Sequence, residues 1–556
     1  MNKKYLALTT LVLSGLFTSC GLRNDSEEQI DETKTQITVY NFDGGIGTDW
    51  LYKVKNMFEE KYATTSFEEG KVGAQIFINP QKTNGYGTLS TFAGSTNDVM
   101  FNEYVRYNDY VSQGLFLDIS DIVESTADGD TTTIGSKLRK EAITSLTAYD
   151  GKYYALPHYE VYQGLIYDID LFDSKKLYFA DDQDNGNEGF IIKNTDKKSC
   201  GPDGIYNTVD DGLPSSYEEF FKLCDYINTK GCTPIVWTGE YSEYTEYLLN
   251  SLVNNYLGQE DAMVNYTLDS NGRKIDIVTD FDSDDNPIIE QIAITSANAY
   301  LLKQQPAKYY AIKFLERIMN NSSYYYRDSL YNQTFSHTDA QETFVFSSLE
   351  NKPIAMLIDG TWWENEATNS GAIERSINTY GDRAKNRNYG FLPLPKKLTG
   401  RVNENEGNEP VFEDYINAYC CINAKIDESK IKLAKEFVKF CYSDIGLQTF
   451  TVQTGIAKGV TYSLTDEQYE QLSPFAKNAW SIRKNAKIVY PHSANKLFIN
   501  NERALTSDVW QTTIDSQPYL LTYTAIKDGK KSAKDIFNGM RISKSTWESK
   551  YGKWLD

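Results

Sequence analysis

The feature that most constrains the fold is the segment spanning residues 151–172, GKYYALPHYEVYQGLIYDIDLF. A tyrosine-rich extended stretch ends at Pro157, and a second, apolar one begins at Gly164 with no helical pattern between them. Two strands joined in this way predict a chain that crosses from one lobe to another, where ligand clefts form. The side chains expected at the crossing are His158, Tyr159, Glu160 and Tyr162. The alternative is an ordinary strand pair within one core, which tyrosine also suits.

Length and charge narrow the possible functions. The 556 residues suffice for two large lobes or three domains, and a hydrophobic content of 40% is enough to form buried hydrophobic cores. A formal charge of -21, from 77 acidic and 56 basic residues, repels nucleic acids and anionic membrane surfaces. We therefore expect no nucleic-acid partner. The 41 tyrosines suit sugar recognition, and they also suit plain strand packing.

The N-terminal residues predict export. Two lysines precede an apolar run over residues 6–17, which is too short for a transmembrane helix. Small residues and Cys20 follow and resemble a bacterial lipobox, although Phe17 stands where leucine is usual. We expect residues 1–19 to be a signal peptide, Cys20 to carry a lipid anchor to the membrane, and residues 20–35 to form a polar tether. The alternative is a plain signal peptide with an incidental cysteine.

The next part of the chain alternates strands and helices. Residues 36–41, 71–79 and 98–101 are predicted strands, and Thr48 is a predicted N-cap of a helix. This alternation predicts an α/β lobe with a mostly parallel sheet, in which ligands bind beyond the carboxyl ends of the strands. The candidate ligand-contacting residues at those ends are Asp43, Asn102, Tyr104 and Arg106. Polar loop residues that touch no ligand are the alternative for each.

An insert over residues 174–212 is rich in Asp, Asn and Gly. Its hard oxygen ligands would suit Ca²⁺, although the loop does not match the EF-hand pattern. The candidate calcium ligands are Asp203, Asn207, Asp210 and Asp211. The alternative is a solvated turn, which Asp-Gly clusters form without a metal. No other cofactor is expected, because the six cysteines outside Cys20 lack CxxC spacing; their pairing stays open.

Tryptophans follow two further predicted strands. Trp237 ends a strand that begins at residue 233, and it is either a platform for a sugar ring or a core residue. Trp362 and Trp363 follow the apolar strand 354–358, and adjacent residues cannot both point inward on one face. At least one of them should therefore reach a cleft or the surface. Extended stretches over residues 389–395 and 418–423 suit a second and a third crossing between lobes.

Several collinear segments resemble a known family. They include YNFDGG at residue 40, DVMF at 98, IAMLIDGTWW at 354, YGFLPLP at 389 and LAKEFVKFCYSDIGLQTF at 433, together with the crossing segment and the lipobox. Their order and spacing are similar to those of extracellular solute-binding proteins (family 1) of bacterial ABC carbohydrate importers, which include maltose-binding protein. The resemblance spans residues 36–540 and is made specific by the collinearity of motifs that are individually loose.

The resemblance implies a two-lobe α/β fold of type II, with three crossings and a ligand cleft between the lobes. The first lobe would comprise residues 36–157 and 391–421, and the second residues 158–390 and 422–556. The resemblance also assigns ligand contacts to individual positions. These are Asp43, Asn102, Tyr104, Arg106, Tyr159, Tyr162, Trp237, Glu240, Tyr241, Trp362, Trp363 and, through a poorer match, Trp510.

The implied protein is a non-catalytic, monomeric receptor. It would capture a sugar or oligosaccharide by lobe closure and deliver it to an ABC permease from the extracellular face of the membrane. A secreted glycan-active enzyme is the main alternative, because glycosidases need only two suitably spaced carboxylates. A glycan-binding surface lipoprotein without a transport role is the other. The three histidines, His158, His337 and His492, lie in no zinc-protease or catalytic-triad pattern.

Overall fold

The computed structural model describes residues 29–555 except 83–87, 182–188, 242, 404–408, 415–417 and 508. The predicted signal peptide, Cys20 and the first part of the predicted tether lie outside the described residues. Within the described part of the chain, no helix is both long enough and apolar enough to cross a membrane.

Strands recur along the whole chain. Their bounds are β1 (Thr35–Phe42), β2 (Ala74–Gln81), β3 (Val99–Asn102), β4 (Ala155–Pro157), β5 (Gln163–Asp168), β6 (Thr233–Val236), β7 (Lys274–Phe281), β8 (Pro287–Ala293), β9 (Ile354–Gly360), β10 (Tyr389–Leu392), β11 (Val411–Glu413), β12 (Tyr419–Ile422), β13 (Lys487–Val489), β14 (Thr512–Ile514) and β15 (Gln517–Tyr519). Most belong to two separate sheets, and the rest form two-stranded pairs.

Helices connect and cover these strands. The α-helices up to β9 are α1 (Asp49–Lys61), α2 (Leu89–Ala93), α3 (Tyr107–Ser112), α4 (Ser120–Glu124), α5 (Ile134–Lys137), α6 (Lys140–Leu146), α7 (Ile169–Lys175), α8 (Tyr217–Thr229), α9 (Glu243–Thr267), α10 (Pro306–Asn320), α11 (Asp328–Tyr331) and α12 (His337–Ser347). Those after β9 are α13 (Trp363–Asn369), α14 (Ala372–Tyr380), α15 (Asp382–Lys385), α16 (Ile431–Cys441), α17 (Asp444–Thr454), α18 (Asp466–Glu470), α19 (Pro474–Asn485), α20 (Lys496–Ser507), α21 (Thr522–Lys527), α22 (Ala533–Gly539) and α23 (Lys544–Tyr551). Short 3-10 helices cover Ala299–Gln304, Glu428–Lys430 and Gly552–Trp554.

The first sheet contains β2, β1, β3, β12 and β4 in that spatial order. β1 runs parallel to both β2 and β3, whereas β12 runs antiparallel to β3 and β4. Alternating residues of β1, such as Ile37 and Val39, are fully buried, as expected for a strand covered by helices. The carboxyl ends of β1 and β3 lie at one edge, so Asp43 and Tyr104 leave the sheet on the same side.

The second sheet contains β10, β5, β9 and β6. β9 pairs antiparallel with β5 and parallel with β6, and every residue of β9 is buried. This explains its continuous apolar sequence, because a strand covered on both faces has no polar side to alternate with. Helices α9 and α12 pack against β9.

The segment at residues 158–162 links the two sheets, because β4 belongs to the first sheet and β5 to the second. The crossing predicted for residues 151–172 is therefore confirmed. At the crossing, Glu160 is fully buried between Arg139, which precedes α6, and Arg483 on α19. Both guanidinium groups lie 2.9 Å from its carboxylate. The Glu160 carboxylate at the crossing is therefore paired within the protein.

The predicted lobe boundaries differ from the sheets at two points. The boundary between residues 390 and 391 falls inside β10, which pairs with β5 in the second sheet. The boundary between residues 421 and 422 falls inside β12 of the first sheet. In addition, α16 and α17 pack on α1, and α16 also contacts β1. These two helices therefore lie with the first sheet, whereas the sequence predicted them in the second lobe. The passage back to the second sheet follows α17, because α19 packs on β10.

Candidate functional site

A cavity of about 470 Å³ lies where the ends of the two sheets face each other. We call it the first cavity. Its walls come from the loop after β1, the segment after β3, the crossing, helices α9 and α12, and the turn after β9. The lining residues are Phe42, Asp43, Gly44, Gly45, Ile46, Lys82, Glu103, Tyr104, Tyr159, Val161, Tyr244, Tyr247, His337, Trp362, Glu366, Asn369 and Ser370. Its volume is within the range of small-ligand sites.

Trp362 is held in the cavity wall by the backbone of the preceding strand. Its ring lies across Gly360, where a Cβ atom would come within 2.1 Å of the ring carbons. Only glycine at position 360 therefore allows this placement. The neighbouring Trp363 points the other way and is fully buried among Phe344, Tyr389 and Phe475. The prediction that at least one of the two tryptophans reaches a cleft is confirmed for Trp362.

The loop after β1 supplies a fixed carboxylate. Asp43 accepts a hydrogen bond of 2.8 Å from the Thr48 hydroxyl, and its other oxygen lies 2.8 Å from Lys82 Nζ. The backbone carbonyl of Gly45 accepts a 3.2 Å hydrogen bond from Asn369 Nδ2 on α13. The loop of the first sheet thus contacts a helix of the second sheet directly at the rim of the cavity.

Glu103 and Tyr159 form a pair on the first-sheet side of the cavity. The Tyr159 hydroxyl donates a hydrogen bond to Glu103 Oε1, and both side chains are buried. Burial raises the pKa of Glu103 to about 8, and the hydrogen bond from Tyr159 only partly counteracts this. At neutral pH this carboxyl is therefore largely protonated and can both donate and accept hydrogen bonds.

Glu366 is the centre of a polar network on the second-sheet side. Gln341 Nε2 donates to Glu366 Oε2 at 2.7 Å and to Asp359 Oδ2 at 2.9 Å, while His337 Nε2 lies 3.3 Å from Glu366 Oε1. Burial, followed by the charge of Glu366, raises the pKa of Asp359 to about 7. Burial alone would lower the pKa of His337, but the adjacent Glu366 raises it overall. The network holds the Glu366 carboxylate in place.

The structure brings only part of the predicted set to the first cavity. Asp43, Tyr104, Tyr159 and Trp362 line it. Tyr104, Arg106 and Trp510 line a second cavity that adjoins it. Glu240 and Tyr241 lie on the loop before α9 outside both cavities, with the Tyr241 ring packed edge-on against His337.

Four residues predicted to contact a ligand are instead enclosed by the protein and line neither cavity. Asn102 is fully buried at the end of β3. Tyr162 stacks on Phe412. Trp237 is fully buried beside Tyr325, which agrees with the alternative of a core tryptophan. Trp363 is fully buried in the core. Sequence patterns mark a residue at a strand end, but they do not say which face it takes.

Sequence reasoning also missed residues that line the first cavity. They are Glu103, Tyr244, Tyr247, His337 and Glu366 among others. Glu366 could have been found, because it lies four residues after Trp362, on the same face of a helix. Glu103 lies inside the predicted 102–106 segment. His337 could not be identified from a local sequence pattern, because it is distant from Asp43 and Trp362 in the sequence. Only the fold brings these three residues to one cavity.

In the aspartate-rich insert the carboxylates accept hydrogen bonds from their own loop. Asp210 Oδ2 accepts from the Asp203 amide at 3.1 Å, and Asp211 Oδ2 accepts from the Asn207 amide at 2.9 Å. These hydrogen bonds within the loop are the ones expected for the alternative interpretation, a turn without a metal. In the described part of the chain, no group of three or more His, Cys, Asp or Glu side chains is arranged to hold a metal. Calcium at this loop stays a prediction. The six cysteines of the described part are buried free thiols.

The first cavity has the chemistry of a site for a hydroxyl-rich ligand. Trp362, Tyr104 and the α9 tyrosines offer flat apolar faces, and Asp43, Glu103 and Glu366 offer hydrogen-bonding edges. Rings of this kind pack against the C–H face of a cyclic ligand, while carboxyl groups bind its hydroxyls.

Solved structures share the fold at low sequence identity. A chitin oligosaccharide binding protein superposes with a TM-score of 0.52 at 14% identity, covering 93% of this chain and 99% of that one. RafE in complex with raffinose gives 0.51 at 15% identity, covering 91% and 99%. The GacH receptor of Streptomyces glaucescens GLA.O gives 0.53 at 14%, covering 94% and 99%. The two-lobe α/β architecture of type II predicted from the sequence is therefore confirmed.

The family follows from a sequence profile. Residues 44–447, which make up most of the chain, match the profile described as bacterial extracellular solute-binding protein. No curated protein sequence matches the chain significantly. The profile runs from the loop after β1, through the crossing and the Trp362 turn, into α17, and so includes most elements around the first cavity. The chain belongs to the family of bacterial extracellular solute-binding proteins.

Proposed function

We propose that the protein is a lipid-anchored receptor on the extracellular face of the membrane that captures a sugar and delivers it to an ABC permease. The observation that carries the proposal is the first cavity, where the Trp362 ring and three carboxyl groups face one another across the junction of the two sheets. A sugar needs this combination, because each of its rings has both an apolar face and a polar edge.

Capture would use closure of the two lobes. The contact between Gly45 and Asn369 joins the rims of the two sides, so a ligand seated between Asp43 and Trp362 would touch both lobes. A ligand that contacts both sides binds the closed state better than the open one and shifts the equilibrium toward it. Lipid attachment at Cys20 would keep the receptor at the membrane, where a permease could recognise the closed form.

Binding without chemistry distinguishes the receptor from a glycan-active enzyme. We expect the purified protein to show a rise in melting temperature with one sugar class. The panel comprises oligomers of one to six units of glucose, xylose, mannose, galactose and N-acetylglucosamine. A sugar present at a hundred times its Kd stabilises the folded protein by about 2.7 kcal/mol. The chain length of the sugar should stay constant over hours, as measured by chromatography.

The Trp362→Ala variant tests the assigned cavity. Loss of the ring should weaken binding of the active sugar by about 10–100-fold, equivalent to about 1.4–2.8 kcal/mol. Trp480→Ala is the matched control, because Trp480 is equally enclosed (4% exposed, against 8% for Trp362) but lines neither cavity. Shortening of the sugar by the wild type would instead favour the enzyme. No shift across the panel would contradict a sugar receptor.

A further inference from the structure

A second cavity of about 450 Å³ adjoins the first. Tyr104 and Tyr247 line both cavities, so the two cavities are neighbours that share these side chains. The walls of the second cavity come mainly from α9, α20 and the segment around Trp510. By volume, each cavity is large enough to be a small-ligand site by itself.

The second cavity contains two buried carboxyl oxygens without partners. Glu246 on α9 is 6% exposed and Glu502 on α20 is 5% exposed. Among the described residues, no donor reaches Oε2 of either side chain within hydrogen-bonding distance. The other oxygen of Glu246 accepts a 2.8 Å hydrogen bond from the Thr522 amide, which fixes the carboxyl group in the wall. A buried acceptor without a hydrogen bond raises the free energy of the folded protein, and a ligand that donates a hydrogen bond to it removes that penalty.

Trp510 supplies a flat apolar surface beside these carboxyl groups. Its Nε1 donates a 2.8 Å hydrogen bond to Asn250 Oδ1 on α9, which fixes the orientation of the indole ring. Tyr300 and Trp547 line the same space. The second cavity thus repeats the combination of the first, with aromatic faces next to carboxyl groups.

The two carboxyl groups of Glu246 and Glu502 carry only part of a full negative charge at neutral pH, because burial raises the pKa of Glu246 to about 8 and that of Glu502 to about 7. The basic side chains are Arg106, Lys303, Lys308 and Arg503, and the acidic ones are Glu246, Glu413 and Glu502. Lys308 is enclosed and donates to Asn265 Oδ1 and to the Leu302 carbonyl. A hydroxyl group can donate a hydrogen bond to these carboxyl groups and accept one from the cationic side chains. An anionic group cannot donate to the unpartnered Oε2 atoms, and a cationic group would be repelled by the cationic side chains, so a neutral ligand with many hydroxyls fits the cavity best.

We infer that the two cavities form one continuous site for a neutral oligosaccharide of at least two units, with one end beside Trp362 and the other between Glu246, Glu502 and Trp510. The inference rests on the proposed function and extends it from a sugar to an oligosaccharide. The chain of sugar units passes Tyr104 and Tyr247.

Isothermal titration with oligomers of one to six units from the series that raises the melting temperature tests this inference. Wild-type affinity should rise at least tenfold from one unit to the longest oligomer. Glu246→Met and Glu502→Met remove the unpartnered carboxyl oxygens at a similar side-chain length, so each should weaken the longest oligomer by about 5–50-fold. Both should leave binding of the shortest bound sugar unchanged, and Trp362→Ala should weaken short and long sugars alike.

A control variant and the possible opposing results separate failure of this inference from failure of the receptor proposal. Glu364→Met makes the same change at a carboxyl group that accepts from Ser473 and lines neither cavity, so its affinities should equal those of the wild type. Equal wild-type affinity for one unit and for the longest oligomer would overturn the continuous site but leave the sugar receptor intact. Binding of two monosaccharides per protein, with one of them lost in Glu246→Met, would overturn the continuous site in favour of two separate sites. No binding by any sugar would overturn the inference together with the receptor proposal.

Discussion

At the scale of single residues, the side of the backbone on which a side chain lies decides its role. Trp362 and Trp363 are neighbours in sequence, yet Trp362 lines the first cavity and Trp363 fills the core. Trp237 also follows a buried strand and is enclosed completely. The residue types of the site could be predicted, because sugar recognition needs aromatic rings and carboxyl groups. Which of several candidates faces the cavity could not, since small differences in backbone direction decide it.

Glu103 should make the stability of the protein depend on pH. Its pKa in the folded protein is about 8, compared with an ordinary value of 4.5, so the folded state holds a proton that the unfolded state releases. The stability contributed by this proton is complete below pH 4.5 and is lost as the pH rises through 8. Between pH 5 and pH 9 the wild type should therefore lose up to about 4 kcal/mol more stability than Glu103→Gln.

Urea unfolding without sugar at the two pH values measures this difference. The amide introduced by Glu103→Gln keeps an oxygen that can accept from the Tyr159 hydroxyl, so the hydrogen bond itself is conserved. The exposed Glu290→Gln change is the control and should follow the wild type. Parallel stability profiles for wild type and Glu103→Gln would contradict the assignment of the proton to Glu103.

At the scale of elements, the short strands are placed by the contacts at their ends. β5 ends at Asp168, which caps α7 by accepting a 2.8 Å hydrogen bond from the Leu171 amide. The same carboxylate binds Arg387, just before β10, at 2.5 and 2.8 Å. One side chain therefore begins a helix and fixes the antiparallel partner of its strand. The strands themselves were predictable from their apolar runs, whereas this connection joins residues more than two hundred positions apart.

Asp168→Ala should destabilise the protein by about 3–5 kcal/mol, because it leaves the guanidinium of Arg387 without its partner in a largely buried position. Glu470→Ala is the matched control. Glu470 pairs with Lys477 at 2.6 Å but its side chain is 74% exposed, so the loss should be below about 1 kcal/mol. Urea unfolding of both variants at one pH gives the comparison. Similar losses for the two variants would show that the Asp168 pair is not an anchor of β5.

At the scale of the whole molecule, the two sheets meet through the crossing and through the rims of the first cavity. Glu160 at the crossing binds arginines from both sides of the junction, and Asn369 contacts Gly45 across the rim. The crossing carboxylate is buried and paired with two arginines, whereas the hydrogen bond between Asn369 and Gly45 at the rim is exposed to solvent. The rim is therefore the part of the junction that can open at low cost.

Small-angle X-ray scattering should detect this opening. The radius of gyration should be larger without sugar and should fall when the active sugar is added, because the ligand stabilises the closed arrangement. Trp362→Ala at the same sugar concentration should show a smaller decrease, in proportion to its weaker binding. A radius that is unchanged by a sugar known to bind would contradict capture by lobe closure.

The sequence alone determined the fold class and the first crossing, because both follow from local properties: apolar runs of strand length, helical periodicity between them, and two strands with no helix between. Motifs at strand ends also pointed to Asp43, Tyr104, Tyr159 and Trp362, which line the first cavity. Only the tertiary structure decided that His337, Glu366 and Glu103 face the same cavity and that Glu246, Glu502 and Trp510 enclose a second one. The physical reason is distance along the chain: these side chains come from helices, a strand end and a turn that meet only when the two sheets pack end to end, and no local pattern encodes that meeting.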